Sequence, residues 1–190
     1  KMDMPLSIFP NHRVDVSIIS DVMVKRFCDH LPFYRQSEIY ARDGFNVTRQ
    51  TLDKWFLDTA QALAPLVVLL KKEILKSHAI YVDETGVKLQ KKGNKKLHQA
   101  YMWVLCGSPP GTQAPLVWLH FEENRKHENA QVLIEDFSGV VHSDVYGAYE
   151  TMAALGTFVW APCWVHARRK FVNATEGSIR THAIKLIDQL

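Results

Sequence analysis

The chain has 190 residues, 47% apolar and 23% charged, which reads as one soluble globular domain, with room for a small appendage. Its net charge of +3 permits a nucleic-acid partner without requiring one, and three widely spaced cysteines speak against a disulfide framework and for a reducing compartment. The longest apolar run, residues 62–70, is far short of the roughly 20 residues that span a bilayer, and no signal peptide is visible, so a cytoplasmic protein without a membrane partner is expected.

Pro5 and Pro10 keep the opening segment irregular. Over residues 17–30, Ile18, Ile19, Val22, Met23 and Phe27 recur at helical spacing, and Pro32 is expected to end that helix. A second helix is predicted over residues 36–42, with Gly44 as its left-handed stop. Thr48 then caps a third helix whose apolar stripe runs through Leu52, Trp55, Phe56, Leu63, Leu66 and Leu70. Pro65 should bend or split this helix, because its ring blocks the bond to the carbonyl four residues back. Helix, glycine turn and capped helix, over residues 34–62, is the outline of a helix-turn-helix. Arg49, Gln50 and Lys54 stand where groove-reading side chains would sit, although helical hairpins that only pack share this outline.

From residue 78 the period changes to that of strands. Residues 80–89 and 97–106 are predicted strands joined by the hydrophilic turn Lys91-Lys92-Gly93-Asn94-Lys95-Lys96, and residues 116–121 make a third. A helix over 128–137, a strand from Gly139 to Asp144, a short helix over 146–155, a strand over 157–161 and a helix over 164–174 follow. A three-strand meander followed by alternating helix and strand implies a mixed α/β sheet, preceded here by a helical region. In it the first and fourth strands can lie side by side.

Two stretches dominate this half. Ile80-Tyr81-Val82-Asp83-Glu84-Thr85-Gly86 and Val140-Val141-His142-Ser143-Asp144-Val145-Tyr146-Gly147 are short apolar runs that each reach an aspartate and then a glycine. Adjacent strands would bring the two carboxylates together, where like charges about 4 Å apart repel by roughly 4 kcal/mol at an effective dielectric near 20 and a divalent cation reverses the sign. Asp at a strand end or helix cap is the plainer alternative. Glu84 faces the opposite side of its strand from Asp83 and reads as a hydrogen-bonding residue rather than a ligand. Cys163 and His166 form a lone Cys-x-x-His, half a zinc site at most. Trp103, Trp118 and Trp160 read as core.

Four runs in this order, His30-Leu31-Pro32-Phe33-Tyr34-Arg35-Gln36, Asp83-Glu84-Thr85, Ser143-Asp144-Val145-Tyr146-Gly147-Ala148-Tyr149 and Cys163-Trp164-Val165-His166-Ala167-Arg168-Arg169-Lys170-Phe171, resemble the central region of an IS66-family transposase. The resemblance implies a helical, DNA-binding region over residues 1–76 and an RNase H-like catalytic core of DDE type over 78–190, incomplete at its C-terminal end. It implies DNA strand cleavage and transfer at element ends with Mg²⁺ or Mn²⁺, Asp83 and Asp144 matching the first two metal-binding acids. Transposon ends and target DNA would be the partners of a homo-oligomer assembled on DNA at the nucleoid. The family's third acid lies far downstream in an Asn-Asn-x-x-Glu-Arg type motif, absent before Leu190, so the chain reads as a fragment. Glu176 is the candidate within it, although Thr175-Glu176-Gly177 looks like a helix end.

Basic residues fall in two places suited to DNA: Lys91, Lys92, Lys95 and Lys96 at the hairpin tip, and Arg168, Arg169 and Lys170, with His166, on the helix after the fifth strand. A solvated hairpin tip is the alternative for the first group. In the second, at most two of three consecutive cations can face one phosphate track. A non-catalytic DNA-binding remnant and a structure-specific nuclease on the same fold are the alternatives to a transposase.

Overall fold

The computed structural model describes residues 14–93 and 95–189. The irregular opening segment expected around Pro5 and Pro10 lies outside the described residues, as do Asn94 and Leu190. The chain divides into two compact units, Lys1–Val67 and Val68–Leu190.

The first unit holds α1 (Val16–Phe27), α2 (Phe33–Arg42) and the start of α3 (Arg49–Ile74). Asp15 caps α1 by accepting from the Ser17 amide, and Thr48 Oγ1 accepts from the Thr51 amide at the start of α3. Pro32 does not terminate α1, which ends at Phe27; it begins α2, and its carbonyl accepts from the amides of Arg35 and Gln36. A proline there forfeits no hydrogen bond, because the first amides of a helix have no intrahelical partner. Ile19, Val22, Val47, Leu52 and Trp55 form the core, and buried Gln36 ties the helices by donating to the carbonyls of Val22 and Leu31. Gly44, at φ +83°, makes the turn between α2 and α3.

Of the two outcomes expected at Pro65, a bend or a split, the split does not occur: α3 runs through it. An interior proline costs about 3 kcal/mol, but α3 is anchored by Leu52 and Trp55 near one end and Ile74 at the other, all buried. The expected stripe is also shorter than predicted, with Leu63 48% and Leu66 59% exposed.

In the second unit, β1 (Ala79–Leu89), β2 (His98–Gly107), β3 (Leu116–Glu122), β4 (Val140–Ser143) and β5 (Val159–Pro162) form one mixed sheet in the order β3-β2-β1-β4-β5. The first three strands are an antiparallel meander; β4 and β5 are parallel to β1 and follow α4 (His127–Ile134) and α5 (Gly147–Ala153). This is the predicted topology, that of the RNase H-like fold. Ile80 and Val82, Trp103 and Leu105, Trp118 and Val141 point to one side, where they pack on Leu133 and Ile134 of α4 and Tyr149 and Met152 of α5. Gly139 starts β4 so close to β1 that a Cβ there would lie 2.4 Å from the His78 carbonyl oxygen. Two further helices, α6 (Trp164–Val172) and α7 (Ser178–Ile187), complete the unit. Cys28, Cys106 and Cys163 are free thiols.

Candidate active site

The site lies where β4 stops and β1 runs on. The parallel pairing of β1 with β4 aligns Ala79 with Val140, Ile80 with Val141 and Tyr81 with His142. Asp83 and Asp144 follow two residues after the last pair, Asp83 still within β1 and Asp144 just past the end of β4. Asp83 is not at the end of its strand, as the sequence pattern implied: it lies inside β1, opposite Val104, because the hairpin with β2 carries the strand to Leu89. Gly86 likewise sits in the strand rather than in a turn.

Neighbouring residues of β1 face opposite sides of the sheet, so Asp83 and Glu84 have different surroundings. The Asp83 side chain is 56% exposed; Oδ2 lies 3.9 Å from His166 Nε2, and Oδ1 accepts from the Glu84 amide. Beside it is a cavity of about 180 Å³ lined by Tyr81, Val104, Cys106, His142, Cys163 and His166, with Tyr81 stacked on His142.

Glu84 is only 4% exposed and pairs with Arg125, whose Nη2 also lies 3.0 Å from Asp144 Oδ2. Asp144 has left the strand, and Oδ1 accepts from the Tyr146 amide in a tight turn. Arg125 is itself held, since its guanidinium lies over the Tyr146 ring, 4.1 Å from the centroid, and its carbonyl accepts from Tyr146 Oη at 2.7 Å. Burial pushes the Glu84 carboxyl up to about 7; the Arg125 charge pulls it down and the charges of Asp144 and Asp83 push it back up. Tyr149, beneath them, has its phenol raised first by burial and then by the Glu84 charge. Asp83, Glu84, Asp144 and Arg125 are one electrostatic cluster. No motif marked Arg125, which stands beside Lys126 in the loop after β3 and whose partners come from two other segments of chain, β1 and the turn after β4.

Hard carboxylate oxygens on adjoining strands suit Mg²⁺ or Mn²⁺, and Mg²⁺ is commonly held by one or two carboxylates together with substrate phosphates. The donor chemistry of Asp83 and Asp144 suits such an ion, but their side chains have different neighbours: Asp83 lies beside His166, and Asp144 is engaged by Arg125 and the Tyr146 amide. Glu176 is not brought to them: its side chain is 94% exposed, 3.5 Å from Arg180. Among the described residues no three of His, Cys, Asp and Glu gather closely enough to hold a metal, which covers the Cys163–His166 half-site as well.

The family model of the IS66 transposases matches residues 11–190, nearly the whole chain. The chain belongs to the IS66 transposase family. Its similarity to curated proteins runs to three uncharacterized proteins of Sinorhizobium fredii. The protein y4jD is 30% identical over 92% of this chain and 36% of its own length, and y4qI is 29% identical over 82% and 31%. A third, y4hP, is 24% identical over 90% and 32%. The IS66 chain thus spans about a third of the length of these relatives.

The residues singled out for DNA lie in three places on this IS66 chain. Arg49, Gln50 and Lys54 are exposed on the first turns of α3, Lys54 paired with Asp58. At the β1–β2 hairpin Lys92, Lys95 and Lys96 are exposed, whereas Lys91 pairs with Glu123. On α6 Arg168 is forked onto Asp188 at 2.6 and 3.2 Å, and Arg169 and Lys170 are exposed. His166 faces Asp83 rather than open solvent. Among the described residues no helix is long and apolar enough to cross a membrane.

Proposed function

We propose that this chain carries the first two acids of a DDE-type transposase centre, Asp83 and Asp144, which cleaves and joins phosphodiester bonds at the ends of a mobile DNA element. The observation that carries the reading is the parallel pairing of β1 with β4, whose last pair, Tyr81 with His142, stands two residues before each aspartate. A bound Mg²⁺ or Mn²⁺ would supply the Lewis acid that activates water or a 3′-hydroxyl and steadies the leaving oxygen. Asp83 offers an exposed carboxylate on a rigid strand, while Asp144 is aimed by the Tyr146 amide and Arg125.

Exposed Lys92, Lys95, Lys96, Arg169 and Lys170 supply backbone contacts, which give affinity without sequence choice and weaken steeply with salt. The α2–turn–α3 segment acts as the helix-turn-helix, presenting Arg49 and Gln50 to a groove while Lys54 is held by Asp58. Transposon ends and target DNA are the partners, bound by a homo-oligomer that assembles on them. Cleavage of element-end DNA by the full-length protein tests the reading. Asp83→Asn and Asp144→Asn each abolish Mg²⁺-dependent cutting with the circular dichroism spectrum unchanged; cutting at the wild-type rate by either variant overturns it.

A further inference from the structure

Tyr81 lies inside β1, the central strand of the sheet, and is nevertheless 56% exposed. One face of its ring is stacked on His142 of β4, with 4.7 Å between centroids and 13° between planes. What stays open is the other face of an aromatic ring already held in place, two residues before Asp83 on the same side of the strand. Both rings line the cavity of about 180 Å³ beside Asp83, together with Val104 and Cys106 of β2 and with Cys163 and His166 at the start of α6. An apolar cavity of roughly 150 Å³ holds a benzene-sized ring, so this one takes a single six-membered ring and not a fused pair. His166, Arg169 and Lys170, at i, i+3 and i+4, lie along one side of α6; the first lines the cavity and the other two are exposed one turn further on. A flat slot for a ring with cations one turn away is the combination that holds single-stranded nucleic acid, whose bases stack on aromatic faces while cations follow its phosphates. A protein segment or a small apolar molecule in the same slot would leave those cations without a partner.

We propose that this cavity is a subsite for one unpaired pyrimidine of a DNA strand, stacked on the Tyr81 ring, with Arg169 and Lys170 on the neighbouring phosphates. The proposal rests on the reading of the chain as a transposase core that acts on DNA, and it adds where a base next to Asp83 goes. Purines are excluded by size, since their second ring exceeds the volume available. An unpaired base has no stacking or pairing partner to give up, so the strand taken is single-stranded or frayed at its end. Tyr81 supplies affinity through its ring face, and its hydroxyl is not needed for it.

The test compares three dye-labelled DNA strands of equal length, one wholly abasic, one abasic except for a single thymine and one abasic except for a single adenine. Each is titrated with the full-length protein at low salt, without divalent ions so that nothing is cut, and followed by fluorescence anisotropy. Repulsion from Asp83 acts on all three strands alike and cancels in their ratios. The thymine strand binds about tenfold more tightly than the abasic one, and more tightly than the adenine one. Tyr81→Ala lowers the thymine strand to the abasic level and leaves the abasic strand unchanged, whereas Tyr81→Phe keeps the preference. A merely structural Tyr81 would shift all three affinities together. Val104→Phe, which fills the cavity from β2, gives the same loss and keeps the test valid if Tyr81→Ala fails to fold. Equal binding of the thymine and abasic strands, adenine bound as tightly as thymine, or a thymine preference that survives in the folded variants overturns the proposal. Cleavage of element ends that still requires Asp83 and Asp144 then leaves the transposase reading standing. No binding of any strand, together with no cleavage, overturns both.

Discussion

The buried carboxyl at Glu84 makes stability depend on pH in a direction opposite to that of most carboxylates. An acid whose pKa falls on folding adds stability as pH rises; Glu84 is lifted from 4.5 to about 7 by burial, so the folded chain keeps its proton where the unfolded chain has released it. Its contribution is full below about pH 4.5, is lost as pH rises through 7, and is level above that. At about 1.4 kcal/mol per pKa unit, the loss across this window is about 3 kcal/mol. Glu84→Gln removes the titration while keeping the shape. The stability of the variant relative to wild type therefore rises by about 3 kcal/mol between pH 4.5 and pH 8. Urea denaturation of the two chains, followed by tryptophan fluorescence at half-unit steps of pH, measures that difference. All other ionisable groups are common to both proteins and cancel in the difference. Parallel pH profiles, or a variant that loses ground to wild type above pH 7, refute the reasoning, because ionised Glu84 would then gain more from Arg125 than it pays in desolvation.

Three further outcomes follow from packing and backbone geometry. Gly139→Ala drives a Cβ to 2.4 Å from the His78 carbonyl oxygen and 2.6 Å from the Phe137 ring, prying β4 from β1, and lowers unfolding stability by at least about 1–3 kcal/mol in urea. Leu133→Ala, at a fully buried position between α4 and the sheet, costs about 2–5 kcal/mol by the same measurement. His30→Gly, at an exposed residue with φ of 55° in the left-handed region, raises the melting temperature, corresponding to a gain of up to about 1 kcal/mol.

The order of strands was legible because the period of the apolar residues changes at residue 78 and because turn chemistry marks the strand boundaries, the Lys-Gly-Asn-Lys hairpin between the first two strands and Gly139 before the fourth. The three tryptophans lie where that pattern put them, Trp103 and Trp118 in the core and Trp160 against it, donating from Nε1 to Ser143 Oγ. Local rules failed where distant anchors decided the outcome. Pro65 does not split α3, whose two ends are held by buried residues, and the apolar stripe read along the helix includes Leu63 and Leu66, which are exposed. Ion pairs over long sequence separations escaped as well. Lys91 with Glu123 and Arg168 with Asp188 look like free basic residues in the sequence, and only the fold shows that their charge is already answered.

The same distinction explains why the two aspartates of the site were predicted as equals and are not. Asp83 is inside β1, where the pleat alone decides its direction: it must share a face with Tyr81 and oppose Glu84, and alternation in the sequence is enough to say so. Asp144 lies one residue beyond β4, where no pleat applies, and its direction is set by the Tyr146 amide on one oxygen and by Arg125 on the other. Register sets the two residues equally far past the last pair of β1 with β4, but aim is a separate matter, inherited from the strand in one case and imposed by a guanidinium in the other. A carboxylate aimed by a strand can be moved only by disturbing the sheet. One aimed by a guanidinium and a turn amide owes its direction to Arg125 and Tyr146, so a substitution at Arg125 turns Asp144 and leaves Asp83 where the pleat holds it.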